Sequence, residues 1–436
     1  MSNQFSLMQE RRFRPFFFTQ FLGAFNDNLF KTALITLVVF HGTKLSNLDS
    51  TTLATLLPGL FILPFLLFSA SAGQIADKFE KSKIIRYVKE FEIAIMFFAS
   101  LGFYLNNIWL LCGALLMMGM HSTLFGPVKY AYLPQHLKAN ELVGGNGMVE
   151  MGSFVAILLG QIIGATLAAL ENHTLFTSIA TLATAIVGYW TSHQIPNSPA
   201  ADAALKLNWN PIKETFYNLK FAWSHTTIWF GLIAISWFWF YGATLLAQFP
   251  NLAKNILKGD ESLFILLLSV FTIGIGFGAL LCEKLSKGKL ELGLVVFGAL
   301  GLTLFGADLY FTSTHFHSTS NTQNYLQFMS QLDNWRLLLD IALIGLFGGL
   351  YIVPLYALIQ SRAEKSHQSR VIAANNILNA LLMVISAGLS LLLFKQGFSI
   401  PQLFLVTALL NIIVTVYLCV YQVEYYKTFL IWIKCH

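Results

Sequence analysis

Charge is what this sequence lacks most. Asp, Glu, Lys and Arg make up 11% of its 436 residues, against roughly a quarter in a soluble globular chain. That is too little polar surface for a water-soluble fold of this size. Cysteine is nearly absent too: Cys112, Cys282, Cys419 and Cys435 show no paired spacing, which excludes a disulfide framework and leaves them as inert apolar residues. No P-loop and no dinucleotide-binding glycine fingerprint occurs, which argues against direct ATP use. His315 and His317 share one loop with no further ligand nearby, so no metal site is expected. No cofactor is implied.

In place of charge there are long apolar runs. Hydrophobic residues supply 56% of the chain and its mean hydropathy is +0.64. A helix needs about 20 mostly apolar residues to cross a bilayer. Such runs fall near 16-40, 53-72, 86-105, 109-133, 143-169, 176-194, 228-253, 262-282, 292-311, 335-360, 371-394 and 403-426. They are long and continuous rather than short and alternating, which excludes a membrane β-barrel. The expected fold class is an all-α integral membrane protein with twelve transmembrane helices. The first run follows basic residues, is too long for a signal-peptide core and lacks a cleavage site, so it is expected to remain as the first helix.

Lys and Arg are retained in cytoplasmic loops. With the amino terminus inside, the inner segments hold 20 of the 27 basic residues, including Arg12, Lys78, Lys81, Lys89, Arg362 and Arg370. The outer segments hold Lys44, Lys254, Lys258, Arg336 and Lys395, while Lys31 and Lys129 fall inside helices. Both termini are therefore expected in the cytoplasm, and the net charge of +6 reflects this bias rather than a nucleic-acid-binding face.

A polar stretch over 195-225 separates the sixth run from the seventh. It divides the chain into an amino-terminal six-helix bundle, 1-194, a central cytoplasmic loop, 195-225, and a carboxy-terminal bundle, 226-436. An internal echo supports duplication. Pro127, Tyr130-Ala131 and Asn146 in the first half are matched by Pro354, Tyr356-Ala357 and Asn375 in the second.

Ionisable groups at membrane depth are costly and usually serve a cavity or a partner. Asp27 lies 12 residues beyond Pro15, about 18 Å along a helix, close to mid-bilayer. Gln20, Ala24, Asp27 and Lys31 share one face. Asp27 and Lys31 could form an i, i+4 ion pair, or they could mark a substrate or coupling site. Lys129 lies four residues before Leu133, at a depth close to that of Glu150; it could snorkel to the headgroup layer or pair with Glu150. Arg336 and Asp340 form a second expected i, i+4 pair. The second half offers uncharged polarity at Tyr356, Gln360, Asn375, Asn376 and Asn379, with Trp237, Trp239, Phe240 and Tyr241 as an aromatic wall. An amphiphilic substrate would fit that asymmetry. His136 and Glu141 match the His-x4-Asp of glycerolipid acyltransferases poorly, since the carboxylate is Glu. No catalytic residue is expected, and the chain is not read as an enzyme.

The loop Gly73-Gln74-Ile75-Ala76-Asp77-Lys78-Phe79-Glu80-Lys81-Ser82-Lys83 resembles the major facilitator signature Gly-x-x-x-Asp-Arg-x-Gly-Arg-Arg, with Lys78 for Arg and Glu80 for the second Gly. Gly73, Asp77, Lys78 and Lys81 are its expected gating residues, the basic cluster pairing across the gate between halves. Further, Gln20-Phe21-Leu22-Gly23-Ala24-Phe25-Asn26-Asp27-Asn28, Gly126-Pro127-Val128-Lys129-Tyr130 and Phe238-Trp239-Phe240-Tyr241-Gly242-Ala243 resemble the bacterial lysophospholipid transporter family of that superfamily. The resemblance implies a major facilitator fold of two pseudo-symmetric six-helix bundles in the inner membrane. It implies inward movement of lysophosphatidylethanolamine or lysophosphatidylglycerol for re-acylation, by a monomer that a cytoplasmic lysophospholipid acyltransferase could serve as partner. It also implies that Asp27 and Lys129 contact the headgroup and that Asn26 and Asn28 hydrogen-bond Asp27. With Lys31, Tyr130, Glu150, Tyr356 and Asn376 these form the expected substrate-binding set. Two other readings stay open: a proton-coupled exporter of an amphiphile or siderophore, and a membrane scaffold for an acyltransferase.

Overall fold

The structure is a computed structural model that describes residues 4–45, 50–316 and 322–435, without the side chains of 39–56 and 435. His317 and the side chains of Lys44 and Cys435 lie outside the described residues. Six long helices come first: α1 (Arg14–Leu45), α2 (Ser50–Lys78), α3 (Lys81–Tyr104), α4 (Ile108–His136), α5 (Leu142–Ala168) and α6 (His173–Ser192). The short α7 (Pro211–Ser224) follows. Next come α8 (Thr226–Asn251), α9 (Glu261–Ser286), α10 (Gly293–Thr314), the single-turn α11 (Tyr325–Met329), α12 (Trp335–Arg362), α13 (Gln368–Lys395), α14 (Ile400–Tyr421) and α15 (Val423–Cys435).

Twelve of these are membrane helices, the shortest being α6 at 20 residues, about 30 Å at 1.5 Å per residue. Ten are apolar and long enough to cross a bilayer on composition alone. The other two carry charged residues within the helix, Asp27 and Lys31 on α1 and Lys89, Glu90 and Glu92 on α3. They pack inside the first half, α1 against α5 and α6, and α3 against α4 and α6. Burial among neighbouring helices is what makes their polarity tolerable.

Two elements differ from the sequence expectation. The polar stretch between the halves is not all loop, because Asn210 caps α7 through its side chain, accepting from Lys213 N at 3.1 Å, with Pro211 in the first turn. The last apolar run does not continue to 426. The backbone breaks at Gln422 (φ −124°, ψ 81°), and the chain restarts as α15, which packs on α10.

The halves meet near one end, the basic end, which holds the α2–α3, α4–α5 and α12–α13 connections. There α5 packs on α9 and α2 packs on α13. A Cβ on Gly147 would stand 2.5 Å from the Ala279 carbonyl oxygen, so glycine is required for that approach. Not every glycine on these helices serves the seam. Gly160 and Gly164 face α1, and Gly274 and Gly278 face α12, within their own halves.

Candidate functional site

Asp27 sits on α1 against α4. Its Oδ2 accepts from Ser122 Oγ at 2.5 Å, and His121 Nδ1 stands 3.9 Å from Oδ1. The other ring nitrogen of His121 is 3.2 Å from Glu92 Oε2 on α3. Lys89, one turn earlier on α3, pairs with the same Glu92 oxygen at 2.6 Å. Lys89 and Glu92 are fully buried and His121 is 2% exposed. Asn26 Nδ2 donates to Glu92 Oε1 at 2.7 Å. A row of ionisable side chains thus runs Lys89, Glu92, His121, Asp27 across three helices, with His121 Nε2 completing no hydrogen bond among the described residues. Each member has a polar neighbour, as burial at this depth requires. Asp27 Oδ1 is buried with no hydrogen-bond partner among the described residues. It is a carboxylate oxygen with acceptor capacity to spare.

Several expectations are corrected here. Lys89 is not a cytoplasmic loop cation but the buried partner of Glu92. Lys31 does not pair with Asp27. Its ammonium lies over the Phe61 ring, 5.2 Å from the centroid, where an aromatic face stabilises a cation. Neither asparagine bonds Asp27: Asn26 serves Glu92, and Asn28 Nδ2 turns back to the Ala24 carbonyl at 2.8 Å. Lys89, Glu92 and His121 were missed as site residues. Their signal was present as an acid and a base three apart inside the third apolar run and a histidine midway along the fourth.

A second polar group lies toward the basic end. Lys129 Nζ donates to Ser153 Oγ at 2.8 Å, and Ser153 Oγ lies 3.0 Å from Gln20 Oε1 on α1. Tyr130 OH donates to Glu150 Oε1 at 2.6 Å. Lys129 and Glu150 therefore do not form a direct pair, since Ser153 and Tyr130 take their places as partners. Tyr130 stacks on Tyr356 of α12, and Trp239 Nε1 reaches Tyr356 OH at 3.4 Å. A Cβ on Gly126 would lie 2.6 Å from Asn376 Nδ2, a buried donor with no partner among the described residues. Of the four residues expected to form the aromatic wall, Trp239 faces the first half, packing on Phe154. Trp237 is held inside the second half by Asn411 at 2.7 Å, Phe240 stacks on Trp237, and Tyr241 bonds the Leu302 carbonyl.

The seam closes at the basic end. Asp77 is fully buried. Its two oxygens accept from Ser369 N and Arg370 Nε, both at 3.0 Å. A Cβ on Gly73 would meet Ala373 Cβ at 2.7 Å and Arg370 Cα at 3.1 Å. The expected pairing of the basic cluster across the gate is replaced by this one: the cation comes from α13 of the second half. Lys78 lies over Phe79, and Lys81, 1% exposed, packs beside the strap with Ser198 accepting from its backbone N–H. The strap between halves crosses the same seam, Asn208 bonding Gln74 twice and Asp202 N donating to the Asp77 carbonyl. Asn146 and Gln360 exchange two side-chain hydrogen bonds, at 2.6 and 3.0 Å. Near that end Arg12 grips Glu141 with two hydrogen bonds, at 2.8 and 2.9 Å, which hold the Glu141 carboxyl below its usual range. Glu141 is therefore committed to an ion pair rather than to His136. At the opposite end Arg336 bridges to Asp308, at 2.5 Å, while Asp340 accepts from Thr312. The expected i, i+4 pair does not form.

Comparison with known proteins places this geometry. The family described as Major Facilitator Superfamily matches residues 16–321. A protein of Enterobacter sp. (strain 638) called Lysophospholipid transporter LplT is 28% identical over 389 residues, 87% of each chain. The protein of that name in Escherichia fergusonii is 28% identical over 384 residues, 85% of each. Among solved structures, the human organic anion transporter MFSD10 (TETRAN) superposes with a TM-score of 0.74 at 12% identity, covering 93% of this chain and 99% of that one. A bacterial homologue of the iron transporter ferroportin, in an outward-facing state, gives 0.66 at 14% identity, with 92% and 99% covered. At these identities the two structures speak for the fold alone.

Proposed function

The chain belongs to the major facilitator superfamily, and from that premise we propose that it carries lysophosphatidylethanolamine or lysophosphatidylglycerol across the inner membrane to the cytoplasmic leaflet for re-acylation. The observation that carries this reading is the contrast between halves. The first half buries a carboxylate oxygen with spare acceptor capacity, Asp27 Oδ1 on α1, and an ammonium, Lys129 on α4. The second half faces α4 and α5 with Tyr356 on Tyr130, Trp239 on Phe154 and Asn376 beside Gly126. Asp27 suits an ethanolamine ammonium and Lys129 suits a phosphodiester, while aromatic and apolar surface suits a single acyl chain. The names of the relatives point the same way.

In this reading the basic end faces the cytoplasm, and the bundles 1-194 and 226-436 rock about the site. The contacts Asp77 to Arg370, Asn146 to Gln360 and Tyr130 to Tyr356 are the inner gate. The substrate enters from the outer side while that gate is shut. Spheroplasts lacking endogenous uptake should accumulate labelled lysophosphatidylethanolamine when they make this protein. No uptake by the unaltered chain overturns the reading. A proton-coupled exporter is the second reading, favoured by the placement of His121 between two carboxylates. It predicts transport that collapses when the proton gradient is dissipated.

A further inference from the structure

The short helix α7 is built inside out for a helix bathed in water. Its inward face carries Glu214, Asn218 and Ala222, all buried. Its outward face carries Ile212, Phe216 and Trp223, which are 81%, 70% and 68% exposed. These three recur at spacings of four and seven, so they form one stripe. Lys213 and Lys220 are exposed along its edge, and Trp209, also exposed, precedes the Asn210 cap. A helix laid on a protein core from water turns its apolar stripe inward. Here the large apolar side chains are the ones that protein leaves uncovered.

The position of the helix says what covers them. α7 ends at Ser224 and the membrane helix α8 starts at Thr226, with only His225 (φ −113°, ψ 89°) between them. Trp223 packs on Trp229 in the first turn of α8, 4.9 Å between ring centroids. The outward stripe of α7 is therefore continuous with the end of α8 at which the lipid boundary begins. Protein occupies the other side. α7 packs on α2 and α13. Asn208, just before it, bonds Gln74 of α2, and Phe221 stacks on His367 in the α12–α13 connection, 4.3 Å between centroids. Aromatic and apolar residues on one face with lysines at its margin suit a helix lying in the headgroup layer, where rings reach the acyl boundary and ammonium groups meet phosphates.

We propose that α7 docks on the phospholipid surface at the basic end, with Ile212, Phe216 and Trp223 in the acyl boundary and Lys213 and Lys220 on the phosphates of anionic phospholipids. This goes beyond the transport reading and does not depend on it. The occupant is the diacyl phospholipid of the bilayer itself, held on a face outside the helix bundles. Docking ties the strap between the halves to the bilayer, because the same segment reaches the first half through Asn208 and Gln74 and the second through Phe221 and His367. The two lysines give the surface a preference for anionic over zwitterionic headgroups, and that preference weakens as salt rises.

The test uses the full chain, both in membranes of the cells that make it and in nanodiscs of equal parts phosphatidylcholine and phosphatidylglycerol. The photo-crosslinker p-benzoylphenylalanine replaces Phe216 or Trp223, and irradiation joins it to the C–H bonds it touches. Intact mass should show one phospholipid added in both settings. In the discs, phosphatidylglycerol should exceed phosphatidylcholine among the adducts by at least about twofold. Lys213→Gln combined with Lys220→Gln should return that ratio to the composition of the disc. Adducts to another protein in place of lipid, or no adduct, overturn the inference. So does a ratio equal to the disc composition when both lysines are present, or one that stays raised in the double variant. A measurement on the unaltered chain needs no substitution: amide hydrogen exchange over 211-224 should be slower in the mixed discs than in discs of phosphatidylcholine alone. Equal exchange in the two overturns the inference and leaves the transport reading standing.

Discussion

Tyr130 of the first half lies flat on Tyr356 of the second, with ring centroids 4.3 Å apart and planes within 5°. The internal echo of the sequence pairs these two residues, and the stack joins one ring from each half. Such a pair contributes about 0.5–1.5 kcal/mol beyond its buried area. Tyr356→Ala should therefore shift the balance toward the state open at the basic end by roughly twofold to tenfold. Spin-label distances between α4 and α12 read that shift. Unchanged distances would remove the stack from the gate.

Asp77 and Arg370 make the stronger lock. Removing one member of a buried pair costs about 3–5 kcal/mol, because the other is left charged and unpartnered. Arg370→Ala should lower the thermal midpoint and slow lysolipid uptake. Asp77→Asn combined with Arg370→Gln should recover most of the midpoint but leave the gate loose. If the single and double variants are equally stable, the pair is not buried as described.

Lys89 and Glu92 obey the same arithmetic deeper in the membrane. Lys89→Met alone strands Glu92 beside Asp27 and should destabilise by about 3–5 kcal/mol. Lys89→Met with Glu92→Gln should be far milder. Denaturation of the two variants in one detergent compares them directly.

Arg12 and Glu141 give a pH signature outside the bilayer. Arg12's hydrogen bonds hold the folded Glu141 below its ordinary value. The stability this adds is complete above the unfolded carboxyl value of about 4.5 and is lost as pH falls through the depressed folded value. Unfolding midpoints measured from pH 7 down to 3.5 should show the unaltered chain losing more than Glu141→Gln on the acid limb. The difference is small, since the pair is partly exposed.

The fold was readable because a bilayer imposes a length and an apolar composition on each crossing. The Gly73 to Lys83 loop and the polar face of α1 were readable for the same reason, as departures from that composition. What spacing cannot supply is partners. Asp27 lies four residues from Lys31, and local geometry suggested a pair, yet packing of α1 against α4 brought Ser122 and His121 instead. Arg370 lies 293 positions from Asp77, and only the fold brings the two together. Lys89 was assigned to a loop because it lies a short way inside a run whose start is the least certain feature of a hydropathy reading. The short α7 escaped because its polar composition reads as loop until Asn210 and Pro211 are recognised as a helix start.

The central claim is that Asp27 receives a cationic headgroup. Uptake of labelled lysophosphatidylethanolamine and lysophosphatidylglycerol by proteoliposomes holding this chain or Asp27→Asn tests it most directly. The variant keeps the side-chain shape and a hydrogen bond from Ser122 while removing the charge. The account predicts that uptake of the ethanolamine lipid falls at least about tenfold and that uptake of the glycerol lipid falls much less. Equal uptake of the ethanolamine lipid by both chains would contradict it.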